Sequence, residues 1–270
     1  MSGQGIDPYA PERRRGFLYG LNPLAKLAAP VPAMTLLIFT RDLTTPLAFA
    51  LLAYVLILAG AGLTRIVTLL LGVVLPVVVV GIGFGMSLWV DPARVVDTPV
   101  VLGIGGWELR TGALEIGGAT ALRIAAIVAL SLIAGVTTTG PDLVRACVQQ
   151  LRLPYRIGYT ALAALRFVPR FGHELDVIRQ AHRVRGAHRG RGPFAATARW
   201  WGYIVPLLAG AIRHAERVAL AMDARAFGAH PDRTERHLVP WRPRDTVFVL
   251  VIWAVSAALL VALHPWAPGV

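Results

Sequence analysis

Apolar and polar positions along this chain fall into two regimes. Apolar residues run almost unbroken over 24–40, 46–63, 66–90, 113–136 and 247–263. A hydrocarbon core roughly 30 Å thick takes about 20 mostly apolar helical residues per crossing, so these runs predict five transmembrane helices. Between the fourth and fifth, apolar residues recur every three or four positions with arginines among them, the signature of amphipathic helices. The pattern predicts an all-α integral membrane protein: four spans over 1–140, a cytoplasmic-side domain of three helices over 141–245, and a last span with a short tail over 246–270.

Within the middle segment, a first helix is expected from 141 to about 151, with Pro141 at its first position and Asp142 in its first turn, where the helix dipole favours an anion. Leu153-Pro154 ends it. A second helix is expected over 155–185 with a bend at Pro169; Leu162, Leu165, Phe167 and Val168 fill its first half, and Glu174, Asp176, Arg179 and Arg183 its second. An Arg/Gly/His linker at 188–193 leads to a third helix over 195–227. There Ile204, Leu207, Leu208, Ala211, Ala215, Val218 and Met222 form a core face opposite Arg213, Glu216 and Arg217. Ala209, Gly210, Ala211, Ala215 and Ala219 leave room for another helix to cross closely. Segments 155–171 and 200–212 are apolar enough to resemble further spans, but their charged continuations read as membrane-edge helices.

Composition agrees: 56% of the 270 residues are hydrophobic and 16% charged, with a mean hydropathy of +0.60, against about 25% charged in soluble domains. The first apolar run follows Glu12-Arg13-Arg14-Arg15. It contains Pro30 and Pro32 and passes into Arg41-Asp42 without a small-residue cleavage site, so it reads as a retained helix rather than a signal peptide. The net charge is +12, and residues 141–245 hold 18 arginines against 8 acidic residues. Cytoplasmic loops carry such an excess. The N-terminus and the basic domain are therefore expected inside, the 91–110 loop between Trp89 and Trp107 outside, and the 264–270 tail outside, in a multi-pass plasma-membrane protein. Basic charge confined in this way, without a nucleic-acid-binding motif, does not indicate nucleic acid.

Several chemistries are excluded. The chain has one lysine, Lys26, preceded by Ala25, so it contains no phosphate loop of the Gly-x-x-x-x-Gly-Lys-Ser/Thr type. Gly81-Ile82-Gly83-Phe84-Gly85 and Gly103-Ile104-Gly105-Gly106 do not match a dinucleotide fingerprint; Gly81 and Gly85 read as small-residue helix packing. His173-Glu174 lacks a second histidine, since position 177 is valine, and the lone Cys147 offers no thiolate cluster, so no metal and no cofactor is expected. No catalytic cluster occurs in the spans, and the chain reads as a non-enzyme.

Two arginine-centred strings remain, Arg183-Val184-Arg185-Gly186 and Met222-Asp223-Ala224-Arg225-Ala226-Phe227-Gly228. Each ends a predicted helix. Arginine in a last turn complements the helix dipole, and Gly186 or Gly228 can take the left-handed cap; a repeat on adjacent helices of a basic domain asks for more than capping.

In these strings, and in Leu21-Asn22-Pro23-Leu24-Ala25-Lys26-Leu27, Thr138-Thr139 to Asp142-Leu143, and Leu165-Arg166-Phe167-Val168-Pro169 with Glu174, Ile178 and Ala181, the chain resembles the transmembrane T component of energy-coupling factor (ECF) transporters, the vitamin and metal uptake branch of the ABC systems. Ala221 to Gly228 followed by Arg233-Thr234 resembles that family's second arginine motif. Val184 stands where the family usually has alanine, and Ala226 where it often has serine or glycine. The resemblance implies one or two kinds of cytoplasmic ABC ATPase subunit, a separate membrane-embedded S component that binds substrate, and two crossed coupling helices whose Arg185 and Arg225 enter grooves on the ATPases. Val184, Gly186, Ala224 and Ala226 complete the two motifs; Arg166, Glu174, Arg183, Glu216 and Asp223 are candidates for structural or coupling support. Arg166, which interrupts an apolar stretch, is expected to form an ion pair with Asp142 or Glu216. The substrate classes implied are a thiamine-related pyrimidine, biotin or another vitamin, cobalt or nickel, with a thiamine precursor first. A conventional ABC permease and a membrane-embedded biosynthetic enzyme are the alternatives.

Overall fold

Proline and polar caps decide where the first apolar run becomes helix. In the computed structural model, which describes residues 16–62, 64–104, 107–186, 193–231 and 234–263, that run is two short helices. Helix α1 (Pro23–Ala28) starts at Asn22, whose side chain accepts from the Leu24 N–H at 2.9 Å, and Pro23 sits at its first position. Pro30 lacks the N–H that would continue the ladder, and α2 (Val31–Leu37) restarts after it. Arg13 to Arg15, Gly105, Gly106, residues 188–192, Arg233 and the 264–270 tail lie outside the described residues.

Chain contacts divide the protein into two units, residues 1–139 with 240–270 and residues 140–239. The first contains α3 (Thr44–Gly60); α4 (Arg65–Leu69), which passes through a π-helical segment (Leu70–Val74) into α5 (Leu75–Ser87); α6 (Thr111–Thr137); and α10 (Pro243–Leu263). Three helical stretches, Val67–Ser87, Thr111–Thr137 and Pro243–Leu263, are long and apolar enough to cross a membrane; Pro23–Leu37 and Thr44–Gly60 are shorter apolar helices. Five spans were expected. Three reach full length, and the first two, at 1.5 Å per residue, extend only about 22 and 26 Å. The reason differs: Pro30 divides one, whereas the other starts at Thr44, where Asp42 accepts from the Thr45 N–H at 2.7 Å and the Thr44 hydroxyl at 2.9 Å, and ends already at Gly60. Burial pushes the Asp42 carboxyl up, but those hydrogen bonds outweigh it and hold its pKa below the ordinary value.

The π-segment lies just before Pro76, whose ring cannot sit against a regular preceding turn. The Tyr54 hydroxyl donates to the Leu71 carbonyl there at 2.6 Å. Helices α5 and α6 meet backbone to backbone: a Cβ on Gly117 would collide with the Gly83 carbonyl, and one on Gly83 would lie 3.4 Å from Ala121 Cβ. Gly81 and Gly85, the glycines expected to pack, have nothing within 4 Å of a Cβ position. The packing glycine is the one between them. The core joins Phe49, Ala53 and Ile57 of α3 to Ala126, Ala129, Leu130 and Ile133 of α6, while Leu51, Val55, Val77, Val80, Leu250 and Val261 are exposed. An apolar outer surface of this extent suits lipid.

The 91–110 loop contains an antiparallel hairpin, β1 (Val100–Ile104) and β2 (Trp107–Arg110), with Ile104 opposite Trp107 and an irregularity between Val100 and Leu102. The run of β-branched residues at its start carries that signal.

One buried polar cluster ties the ends of this unit together. Lys26 is 1% exposed and its Nζ donates to the Thr137 carbonyl at 2.8 Å. Asp245, also 1% exposed, accepts from the Asn22 N–H at 2.8 Å and the Arg242 N–H at 2.7 Å, and the Asn22 side-chain amide donates to the Pro240 carbonyl at 3.4 Å. Replacing the ammonium by an apolar group leaves the Thr137 carbonyl buried without that donor. Lys26→Met is therefore expected to lower the stability of the chain in detergent by about 1–3 kcal/mol, read as a drop in its thermal midpoint.

Candidate functional site

The second unit is built from α7 (Gly140–Gln150), α8 (Tyr155–Val184) and α9 (Pro193–Asp223). Helices α8 and α9 continue through Pro169 and Pro206. Gly158 admits α7 beside α8, since a Cβ there would collide with Val148. Gln149 and Gln150 of α7 hold the returning chain: Gln149 donates to the His237 carbonyl and accepts from the Val239 N–H, and Gln150 donates to the Val239 carbonyl, all at 2.8 Å.

Contacts between α8 and α9 fix their direction. His182 meets Tyr203 (5.3 Å between centroids), the Arg179 guanidinium lies 5.3 Å from the Trp200 ring, Phe167 stacks on His214 at 4.3 Å, and Tyr159 meets Phe227 at 6.4 Å. Residue numbers rise on one helix as they fall on the other, so the pair is antiparallel. Midway, Gly210 is buried beside Glu174; a Cβ there would lie 3.1 Å from the carboxylate oxygen. Gly210 thus admits α8 of the same chain, whereas Ala215 and Ala219 of the expected small-residue set are exposed. Arg185 and Arg225 follow the C-terminal ends of antiparallel helices and stand at opposite ends of the pair, separated by a helix of 30 residues, about 45 Å long.

The two ends share a left-handed residue directly after the motif arginine. At the first, the Arg185 N–H donates to the Ala181 carbonyl, and Gly186, with φ 65°, donates to the Arg183 carbonyl at 3.1 Å. At the second, the Phe227 N–H donates to the Met222 carbonyl at 3.0 Å and the Ala226 N–H to the Asp223 carbonyl at 2.9 Å, with Ala226 at φ 54°. The second end is a Schellman termination; the first shows its left-handed residue and 5→2 bond. In each case the motif arginine immediately precedes the left-handed residue. The cap expected on Gly228 is closed instead by Ala226; Gly228, at φ 91°, lies beyond it. An L-residue in that conformation costs about 1–2 kcal/mol, a local strain of the kind found at functional positions.

The strained turn is held from α8. Phe227 packs edge-on against Tyr155 and Tyr159, the Tyr155 hydroxyl donates to the His230 carbonyl at 2.6 Å, and Arg156 donates to the Gly228 carbonyl at 2.5 Å. Arg183, Val184, Arg185, Asp223, Ala224, Arg225 and Ala226 are all exposed, Val184 at 89%. Among the described residues, neither motif guanidinium has an ion-pair or hydrogen-bond partner.

Beside the second string lies a cavity of about 900 Å³, lined by Arg145, Arg166, Arg170, Arg225 and Arg236 together with Glu235. Glu235 is engaged by the Tyr159 hydroxyl at 2.7 Å, so the cavity wall is strongly positive. Arg166 faces this space, and the ion pair expected for it does not form: Asp142 pairs with Arg145 at 3.0 Å one turn along α7, and Glu216 is exposed on α9. The core face expected on α9 is only partly covered: Ile204, Leu208 and Ala215 are exposed, Leu208 at 57%, while Leu207, Ala211, Val218 and Met222 are half-buried.

One charged residue escaped the sequence reading. Arg123 lies inside α6, twelve residues from Thr111 and fourteen from Thr137, and its Nε is buried without a hydrogen-bond partner. A central arginine costs a span about 2.5–3.5 kcal/mol even on the mildest scale. A count of charges per span would have found it.

The profile of the CbiQ family, described as Cobalt transport protein, matches residues 15–236. The energy-coupling factor transporter transmembrane protein EcfT of Thermotoga maritima is 38% identical over 110 residues, 40% of this chain and 41% of that protein. EcfT of Limosilactobacillus fermentum is 29% identical over 263 residues, 91% of this chain and 92% of that protein. A longer Bifidobacterium longum protein, provisionally named an ABC transporter ATP-binding protein, is 26% identical over 253 residues, 90% of this chain but 31% of that protein. The alignment thus spans less than half of the Thermotoga relative and nearly all of the Limosilactobacillus one. With the profile match running from α1 to α9 and across both arginine strings, the chain belongs to the CbiQ/EcfT family, the transmembrane components of energy-coupling factor transporters.

Proposed function

We propose that this chain is the non-catalytic coupling subunit of an ECF-type importer, with Arg185 and Arg225 as its contacts to two cytoplasmic ABC ATPase subunits. The observation that carries this reading is the repeated tip: two exposed arginines, each fixed by a left-handed turn at the end of one of two antiparallel helices. A guanidinium so presented can hold a carboxylate in two parallel charge-assisted hydrogen bonds. The positive cavity beside Arg225 favours an acidic partner surface. The Bifidobacterium relative, which joins a region like this one to a chain named for ATP binding, supports an ATPase partner.

In this mechanism ATP-driven closing of the ATPases displaces the two tips. Helices α8 and α9, packed through Gly210 and the aromatic contacts, pass that displacement to an S component docked on the membrane body. The exposed apolar residues Val168, Val205, Leu208 and Ile212 supply surface for such a partner. The S component then reorients and releases a vitamin or a metal ion inward; substrate choice lies with that polypeptide. Arg183 and Asp223 flank the tips, while Glu174, at the crossing, and Glu216, on the outer face of α9, support the helices. The excess of arginine over 141–245 supports a cytoplasmic side for this segment and the N-terminus, with the C-terminal tail outside, in a plasma-membrane protein.

Arg185→Glu and Arg225→Glu, each tested in the co-expressed transporter, are expected to lose the co-purifying ATPases and uptake; truncating a desolvated charge pair costs about 2–5 kcal/mol, and a reversed charge at least as much. Retention of the ATPases with normal uptake in both variants overturns the reading. The left-handed turn makes a separate prediction. Ala226→Gly relieves its strain and is expected to stabilise the 222–228 turn by up to about 1 kcal/mol, while Gly186→Ala costs about 1–2 kcal/mol, both measured by amide hydrogen exchange.

A further inference from the structure

Arg123 has a chemical requirement that the fold around it does not meet. Its guanidinium stays charged in any protein environment. Snorkelling to the interface serves residues near helix ends, but Arg123 lies more than three turns from either end of α6. Its Nε is buried with no acceptor, and among the described residues no carboxylate or carbonyl takes the side chain. The nearest acids in sequence are occupied or distant: Glu115 lies two turns away on the same helix, Glu108 pairs with Arg110 and Asp142 with Arg145.

The surroundings of Arg123 favour one occupant. It is half-buried, at the border between the packed face of α6 and an open stripe of Ile116, Ile124, Val128, Ser131 and Gly135. A Cβ on Gly135 would meet nothing within 4 Å, so the stripe is smooth enough for a second helix to approach closely. A helix crossing there with an acidic side chain would satisfy the guanidinium bidentately, away from water. We propose that Arg123 recognises an acidic side chain in a transmembrane helix of a partner protein docking on this face of α6. In the reading above that partner is the S component, and only this identification rests on that reading; the demand for an intramembrane acid does not.

The test uses the full chain in phosphatidylcholine vesicles with labelled model transmembrane helices, leucine-rich and differing only at a central Glu, Gln or Leu. Energy transfer should show the Glu helix associating at least tenfold more strongly than the Leu helix. Arg123→Leu should abolish that preference and Arg123→Lys retain part of it, while Arg123→Leu leaves the thermal midpoint of the isolated chain unchanged or higher. Equal association of the three helices with the wild-type chain overturns the proposal. So does a preference that disappears when phosphatidylglycerol is added, because a lipid headgroup then serves the charge, and so does a lower midpoint for Arg123→Leu, because the arginine is then satisfied within the chain. None of these outcomes depends on whether Arg185 and Arg225 bind ATPases, so this inference and the coupling function stand or fall separately.

Discussion

The ammonium of Lys26 against the carbonyl of Thr137 is the constraint on which the membrane unit depends. A buried charge is tolerated only where hydrogen bonds and an opposing field replace water, and the C-terminal carbonyls of a long helix supply both. Thr137 is the last residue of α6. One turn before Lys26, Asn22 caps α1 and, through Asp245 and Pro240, binds the start of α10. A single short segment therefore grips both places where the chain passes between its two units, after Thr139 and before Pro240. Loss of that grip would loosen the feet of α6 and α10, leaving apolar packing, such as that of Ala25 and Ala29 with Val249 and Ile252, to hold them.

The second unit obeys a different rule. Its helices bury few residues, α8 only Gly158 and Ile178, and its order comes from rings, glycine contacts and capped ends. Packing through rings and backbone carbonyls keeps the helix pair defined while leaving its apolar surface available to partners. The same economy leaves arginines unpaired around the cavity, which in an isolated domain would be unfavourable self-repulsion and in a complex becomes attraction for acids.

Much of this was legible in the sequence because it is written in local chemistry. Pro141, Leu153-Pro154 and the arginine strings mark the ends of α7, α8 and α9 to within a few residues, since proline and cap requirements act over one turn. What depended on three-dimensional neighbours was not legible. Gly83 rather than Gly81 or Gly85 meets α6, because the rotation of α5 is set by its packing and by the π-segment before Pro76. The first apolar run counted as one span, but Pro30 divides it. The left-handed cap falls on Ala226, where sequence preference pointed to Gly228, while Phe227 is held by Tyr155 and Tyr159, far upstream in sequence. Of the two carboxylates assigned to Arg166, Asp142 pairs with Arg145 and Glu216 is exposed on α9.

The grip of Tyr155, Arg156 and Tyr159 on the second tip gives α8 an unusual status. It carries one motif arginine at its far end and clasps the turn bearing the other at its near end. In the proposed complex a stroke that pushes both tips alike merely slides this strut, whereas a stroke that pushes them oppositely turns it about the Glu174–Gly210 crossing. The geometry is thus deaf to common motion of the two motors and responsive to their difference, a torque rather than a thrust.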